Sequence, residues 1–152
     1  MKKIGAYKLL IKERLVIEYY SGEITLEDII YFKKQISKDL NYDFSFNTLF
    51  DMRDAIIKVS ESEMILLLEF LNKHFKKGNV RNVAYLTNSP NDVVKSTLFS
   101  ILLNNNELNM NTKIFSTINA IAKWFNIEDI NEKELDAILF RLKTQPNNVY
   151  EK

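Results

Sequence analysis

The chain has 152 residues, 46% hydrophobic and 12% aromatic, with 21 Lys and Arg against 20 Asp and Glu. That length suits one ordinary domain able to bury roughly 70% of its unfolded surface, and such apolar content excludes a disordered chain. The near-zero net charge excludes a general field toward nucleic acid or anionic membrane, and the lack of cysteine excludes a disulfide framework, a thiolate nucleophile and any Cys-containing zinc site.

Tyr7 to Lys12 and Leu15 to Tyr20 are short β-branched and aromatic runs split by Glu13-Arg14, which predicts an opening β-hairpin. Gly22 is expected to break the second strand. Thr25-Leu26-Glu27-Asp28 sets a hydroxyl three residues before a carboxylate, the requirement of a capping box, and predicts a helix from about Leu26 to Leu40. Its apolar stripe is Leu26, Ile29, Ile30, Ile36 and Leu40. Phe46 to Phe50 reads as a buried strand that delivers Asp51-Met52-Arg53-Asp54 at its C-terminal end.

Ser60-Glu61-Ser62-Glu63 repeats the capping pattern and starts a helix with Met64, Leu67, Leu68, Leu71 and Phe75 inward, closed by Lys76-Lys77-Gly78. Val80 to Leu86 is the next strand. Ser89 as N-cap with Pro90 at the first helical position predicts a helix whose stripe is Val93, Val94, Thr97, Leu98, Ile101 and Leu102, ending in the asparagines 104 to 106. Thr112 to Phe115 is a last strand and Ile118 to Phe125 a short helix. The order β-β-α-β-α-β-α-β-α predicts an α/β fold: a mostly parallel, mixed sheet of about five strands with an N-terminal hairpin and helices packed on it. Residues 1–128 form that domain. Residues 129–152 add a C-terminal amphipathic helix, Glu132 to Lys143 capped by Asn131, and a tail from Thr144, with Pro146, expected to be disordered. The stripe Leu135, Ile138, Leu139 and Leu142 must be covered by its own domain or by a second copy, the latter giving a homodimer.

Three segments carry a family resemblance: Tyr20-Ser21-Gly22-Glu23-Ile24-Thr25 after the second strand, Leu49-Phe50-Asp51-Met52-Arg53 closing the third, and Lys113-Ile114-Phe115 followed by Ala120-Ile121-Ala122-Lys123-Trp124-Phe125. With the element order, they make residues 7 to 127 resemble the SpoIIAA-like, or STAS-like, domains of bacteria. The resemblance implies a regulatory module, because such domains include anti-sigma-factor antagonists switched by phosphorylation of a serine at the start of the helix after the third strand. Ser60 and Ser62 stand at that place. The phosphorylated members carry an Asp-Ser-Ser/Thr-Gly type sequence, whereas this chain reads Val59-Ser60-Glu61-Ser62-Glu63, whose glutamates repel a phosphate; the same pattern makes Ser60 an N-cap and Glu63 its partner. A related branch resembles lipid-transfer domains with an apolar cavity.

Ligand sites in open α/β sheets form outside the carboxyl ends of strands, so Asp51, Arg53 and Asp54 are the leading site residues, against the alternative that Asp51 and Arg53 pair with each other. His74, the single histidine, cannot build a two-histidine metal site, and at a helix end it suits the terminal carbonyls. Glycines at only 5, 22 and 78 leave no phosphate-binding loop. The expectation is a non-enzymatic regulatory or protein-interaction module without metal or cofactor, meeting a protein partner through Asp51, Arg53, Asp54, Ser60 and Ser62. The alternative is an apolar small-molecule or lipid-binding domain with a cavity under the helices. No stretch approaches the ~20 apolar residues of a membrane span. The first eight residues meet Lys8 before any run suited to a signal peptide, so a cytoplasmic location without nucleic acid or stable membrane insertion is expected.

Overall fold

Alternating β-branched and aromatic residues on two runs four residues apart leave the chain one local solution, a hairpin. In the computed structural model, which describes residues 3–75, 80–104, 108–144 and 149–151, β1 (Lys3–Leu10) and β2 (Leu15–Thr25) pair antiparallel. Arg14 closes the turn at φ 53. Gly5 is required in β1: a Cβ there would lie 2.1 Å from the Tyr19 carbonyl oxygen. Gly22 does not end β2 as expected. It sits inside the strand at φ 77, where a side chain would be strained, and pairing continues to Thr25.

Thr25 then caps α1 (Leu26–Ser37) through the expected box with Asp28. The helix stops three residues short of the expected end, and Leu40 is fully exposed; the inward residue the stripe lacked is Phe32, which is fully buried. β3 (Asn47–Lys58) runs far beyond Phe50, pairing parallel to β2. Ser60 caps α2 (Glu61–His74), whose inward face is the one expected. β4 (Arg81–Leu86), α3 (Pro90–Asn104), β5 (Met110–Phe115), α4 (Ile118–Phe125) and α5 (Glu132–Thr144) follow. The expected helix-closing residues Lys76, Lys77 and Gly78, together with Asn105, Asn106 and Pro146, lie outside the described residues.

The sheet order is β5-β4-β3-β2-β1-β6. From β2 to β5 each crossover steps one strand in the same direction, so right-handed connections lay α1, α2 and α3 on one face. The core divides accordingly. Tyr20, Ile24, Met52 and Tyr85 of the sheet pack with Phe32 of α1 on the α1–α3 side, while Ile17 and Leu49 pack with Ile121 and Phe125 of α4 on the α4–α5 side. Leu135, Leu139 and Leu142 of α5 are buried in that second layer, so the C-terminal helix docks on its own domain and shares its core with residues 1–128. The tail expected to be disordered contributes β6 (Val149–Glu151), antiparallel to β1. β1 offers an unpaired edge there, and the backbone groups of the tail satisfy it.

Candidate functional site

The expected site residues separate into two groups. Tyr19 pairs with Asp51 and Ser21 with Asp54, so Met52 and Arg53 together oppose Tyr20: a β-bulge in β3. The extra residue resets the alternation. Met52 and Ala55 face the α1–α3 side, while Asp51, Arg53 and Asp54 all reach the α4–α5 side. These residues are therefore mid-strand, not at the strand's carboxyl end, because β3 continues four residues past Asp54.

Their polar groups are mutually satisfied. Arg53 donates from Nε to Asp51 Oδ1 at 2.9 Å and from Nη2 to Oδ2 at 2.7 Å, a bidentate pair with Asp51 buried. Asp54 accepts from Tyr19 Oη at 2.8 Å and from Lys143 Nζ at 2.7 Å. The Lys143 contact holds the Asp54 carboxyl below its usual range, and burial, aided by Asp54, pushes the Tyr19 hydroxyl up. The cluster ties the bulge to α5.

Ser60 and Ser62 lie elsewhere. Ser60 stands six positions beyond Asp54 along mostly extended chain, about 20 Å, and α2 packs on the opposite face of the sheet. Ser60 Oγ accepts from the Glu63 backbone N–H at 3.3 Å, and Glu63 Oε2 accepts from the Ser60 N–H at 2.7 Å. His74 Nδ1 sits 2.9 Å from the Phe70 carbonyl oxygen.

A cavity that sequence periodicity did not reveal lies between α1, α2, α3 and the sheet. Its volume is about 120 Å³, several times the ~10–15 Å³ that admits one water. Phe50, Met52, Val83 and Tyr85 form its floor and Met64, Leu67 and Leu71 its α2 wall. At the cavity α3 is rotated from the expected stripe, of which only Leu98 and Leu102 pack, half-buried, against the core. Val93, Val94, Thr97 and Ile101 are exposed, whereas Asp92, Ser96 and Leu103 are buried. Asp92, Lys95, Ser96 and Phe99 line the cavity, where small or polar side chains fill less of the space beneath the helix than a leucine stripe would. Lys95 Nζ is anchored on the Ile57 carbonyl oxygen, and burial raises the Asp92 carboxyl.

Beside the cavity stands a buried polar cluster. Glu18, 1% exposed, accepts from Lys33 Nζ at 2.6 and 2.7 Å and from Tyr20 Oη at 2.7 Å. Lys33 Nζ also lies 4.1 Å from the centre of the Phe50 ring. Burial pulls the Lys33 ammonium down to about 8, with Glu18 opposing. Arg81, also buried, donates to the Phe44 carbonyl oxygen at 3.3 Å. Lys33 and Arg81 line the cavity with Tyr20. One sequence signal marks this cluster: Glu18 interrupts an apolar strand between Ile17 and Tyr19, and a carboxylate buried there requires a cation.

No family model matches the chain, and no curated protein matches it by sequence. Two solved chains match its structure. One is an uncharacterized protein of the DUF3478 family from Shewanella loihica PV-4 with a SpoIIAA-like fold, 15% identical, with a TM-score of 0.55 over 82% of this chain and 96% of that one. The chain therefore has a SpoIIAA-like α/β fold, as its element order and hairpin lead one to expect. Among the described residues no group of His, Asp and Glu is placed to hold a metal ion, and no helix is long and apolar enough to cross a membrane.

Proposed function

We propose that the chain is a binding module for a small, largely apolar molecule that carries one carbonyl or carboxylate group. The observation that supports this reading is the cavity under α1 to α3, apolar on its floor and α2 wall and bordered by Lys33, Arg81 and Lys95. Those three cations face two carboxylates, Glu18 and Asp92, so the surroundings favour an electron-rich polar end on the ligand. Titration with toluene and benzoate, followed by methyl NMR, tests it. Shifts concentrated at Met64, Leu67, Leu71 and Met110 are expected; shifts scattered over the surface, or none, would reject the reading. Ser96→Leu should fill the space and weaken toluene binding at least tenfold.

A second reading, a regulatory module that meets a protein partner, draws support from the outer faces of α2 and α3. Ile65, Leu66, Val93, Val94 and Ile101 are each more than 40% exposed, and apolar surface gathered on two adjacent helices is a common mark of an interface. Ser60 and Ser62 lie at the entrance of the same α2, whereas Asp51, Arg53 and Asp54 lie on the other side of the sheet. A Leu66→Asp, Ile101→Asp double variant should lose copurifying partners that an Asp54→Ala variant keeps. The reverse pattern would move the interface to the bulge.

A further inference from the structure

A lysine and a phenol on the border of an apolar cavity, both bonded to one buried carboxylate, are more than fold stability calls for. A buried ion pair is often no better than apolar side chains of the same size, so Glu18–Lys33 is weakly explained by packing alone. Its place is specific. Lys33 projects from α1 to the cavity, its Nζ on Glu18 and over Phe50, and Tyr20 Oη donates to the same carboxylate at Oε2. From the adjoining elements the other charged or titratable groups are Arg81 on β4, Tyr85 on β4, Tyr42, and Asp92 and Lys95 on α3.

We propose that Lys33 is a carbonyl-reactive lysine, forming a reversible imine with a small apolar aldehyde seated in the cavity while Glu18 carries the proton. This rests on the cavity being a ligand site. The Lys33 ammonium passes a proton to Glu18, and the freed Nζ electron pair adds to the aldehyde carbon while the carbonyl π pair moves to oxygen. A proton shifts from nitrogen to that oxygen, giving a neutral carbinolamine. The nitrogen pair then forms the C=N bond as the C–O bond breaks, and Glu18 returns its proton to the departing hydroxyl. One ammonium and one aldehyde become one protonated imine and one water, its charge still facing Glu18; no oxidant or reductant enters. Tyr20 acts as a positioning residue, holding the carboxylate toward Nζ. Desolvation by the apolar walls favours the neutral amine that the first step needs. With Lys33 brought down to about 8, the neutral fraction at that pH exceeds that of an ordinary lysine roughly a hundredfold.

The test is reductive trapping of the full-length protein at pH 8 with benzaldehyde and cyanoborohydride, read by intact mass and peptide mapping, alongside toluene binding by methyl NMR. One benzyl group at Lys33, in at least tenfold excess over the average of the other lysines and suppressed by toluene, is the expected result. Even labelling of all lysines while toluene still binds in the cavity overturns the imine and leaves the binding reading intact. Even labelling with no toluene bound overturns both. Glu18→Gln should slow labelling at Lys33 at least tenfold; if that variant does not fold, Tyr20→Phe, which keeps the ring and drops only the hydroxyl, should slow it severalfold. An unchanged rate in a folded Glu18→Gln variant also overturns the assignment.

Discussion

Glu18 and Asp54 are carboxylates on neighbouring strands with opposite situations. Glu18 is shut in with a cation, while Asp54 is about a third exposed and bridges Tyr19 to Lys143. Because Lys143 depresses the folded-state value of Asp54, its stabilisation is present above the ordinary carboxylate range and disappears as pH falls through the depressed value. Screening at so exposed a site limits it to roughly 0.5 kcal/mol. Urea unfolding of Asp54→Asn should therefore show a small loss at pH 7 that vanishes toward pH 2. Lys33 moves stability in the same sense but in an alkaline window. Between about 8, its folded value, and 10.5, its ordinary one, the unfolded chain binds more protons at this site, so its term makes stability rise with pH. Above about 10 the raised hydroxyls of Tyr19, Tyr20 and Tyr85 reverse the trend. Stability measured by urea unfolding should pass through a maximum near pH 9–10, and a Glu18→Gln, Lys33→Met double variant should lose the rising limb.

At the scale of elements, α2 and α3 contrast. In α2 the capping box and apolar stripe agree, so Ser60→Ala should cost about 1 kcal/mol, while Ser62→Ala, at an exposed position, should change stability by less than ~0.5 kcal/mol. In α3 both faces are apolar enough that periodicity alone misplaces four of the six stripe residues, Leu98 and Leu102 being the two that pack on the core. The structure turns Leu103 inward and leaves Ile101 more than half exposed. Leu103→Ala should cost about 2–4 kcal/mol and Ile101→Ala under ~0.5 kcal/mol, a difference that chemical denaturation resolves and that would invert if the helix lay on its expected stripe. The bulge in β3 is a second element-scale device. It brings Arg53 and Asp54 to one face, where simple alternation would separate them.

For the whole molecule, the decisive fact is that α5 is buried in the same core layer as α4 and one face of the sheet. Truncation at Asp129 removes Leu135, Leu139 and Leu142, all buried. At roughly 1.5–3 kcal/mol each their loss rivals the total stability of a domain this size. The truncated chain should show no cooperative thermal transition by circular dichroism; a cooperative transition would mean that α5 is an appendage. Leu135, Leu139 and Leu142 of that stripe are thus covered by the chain's own domain, with Ile138 half-buried beside them.

The order of elements through α5, the hairpin, the capping boxes at Thr25 and Ser60 and the inward faces of α2 and α5 were legible in the sequence, because each depends on residues within one or two turns of one another. So was the pairing of Asp51 with Arg53, two residues apart on one strand. Which face α3 presents is settled by packing, since its two faces differ little in polarity and the choice is made by what α2, β5 and the sheet leave uncovered. The bulge opposite Tyr20, the β6 pairing on β1 and the separation of Ser60 from Asp54 are likewise relations between distant segments. So is the meeting of Glu18 with Lys33, fifteen residues apart: a buried carboxylate announces that it needs a cation, and only the packing of α1 on the sheet determines which cation answers and that a cavity lies beside it.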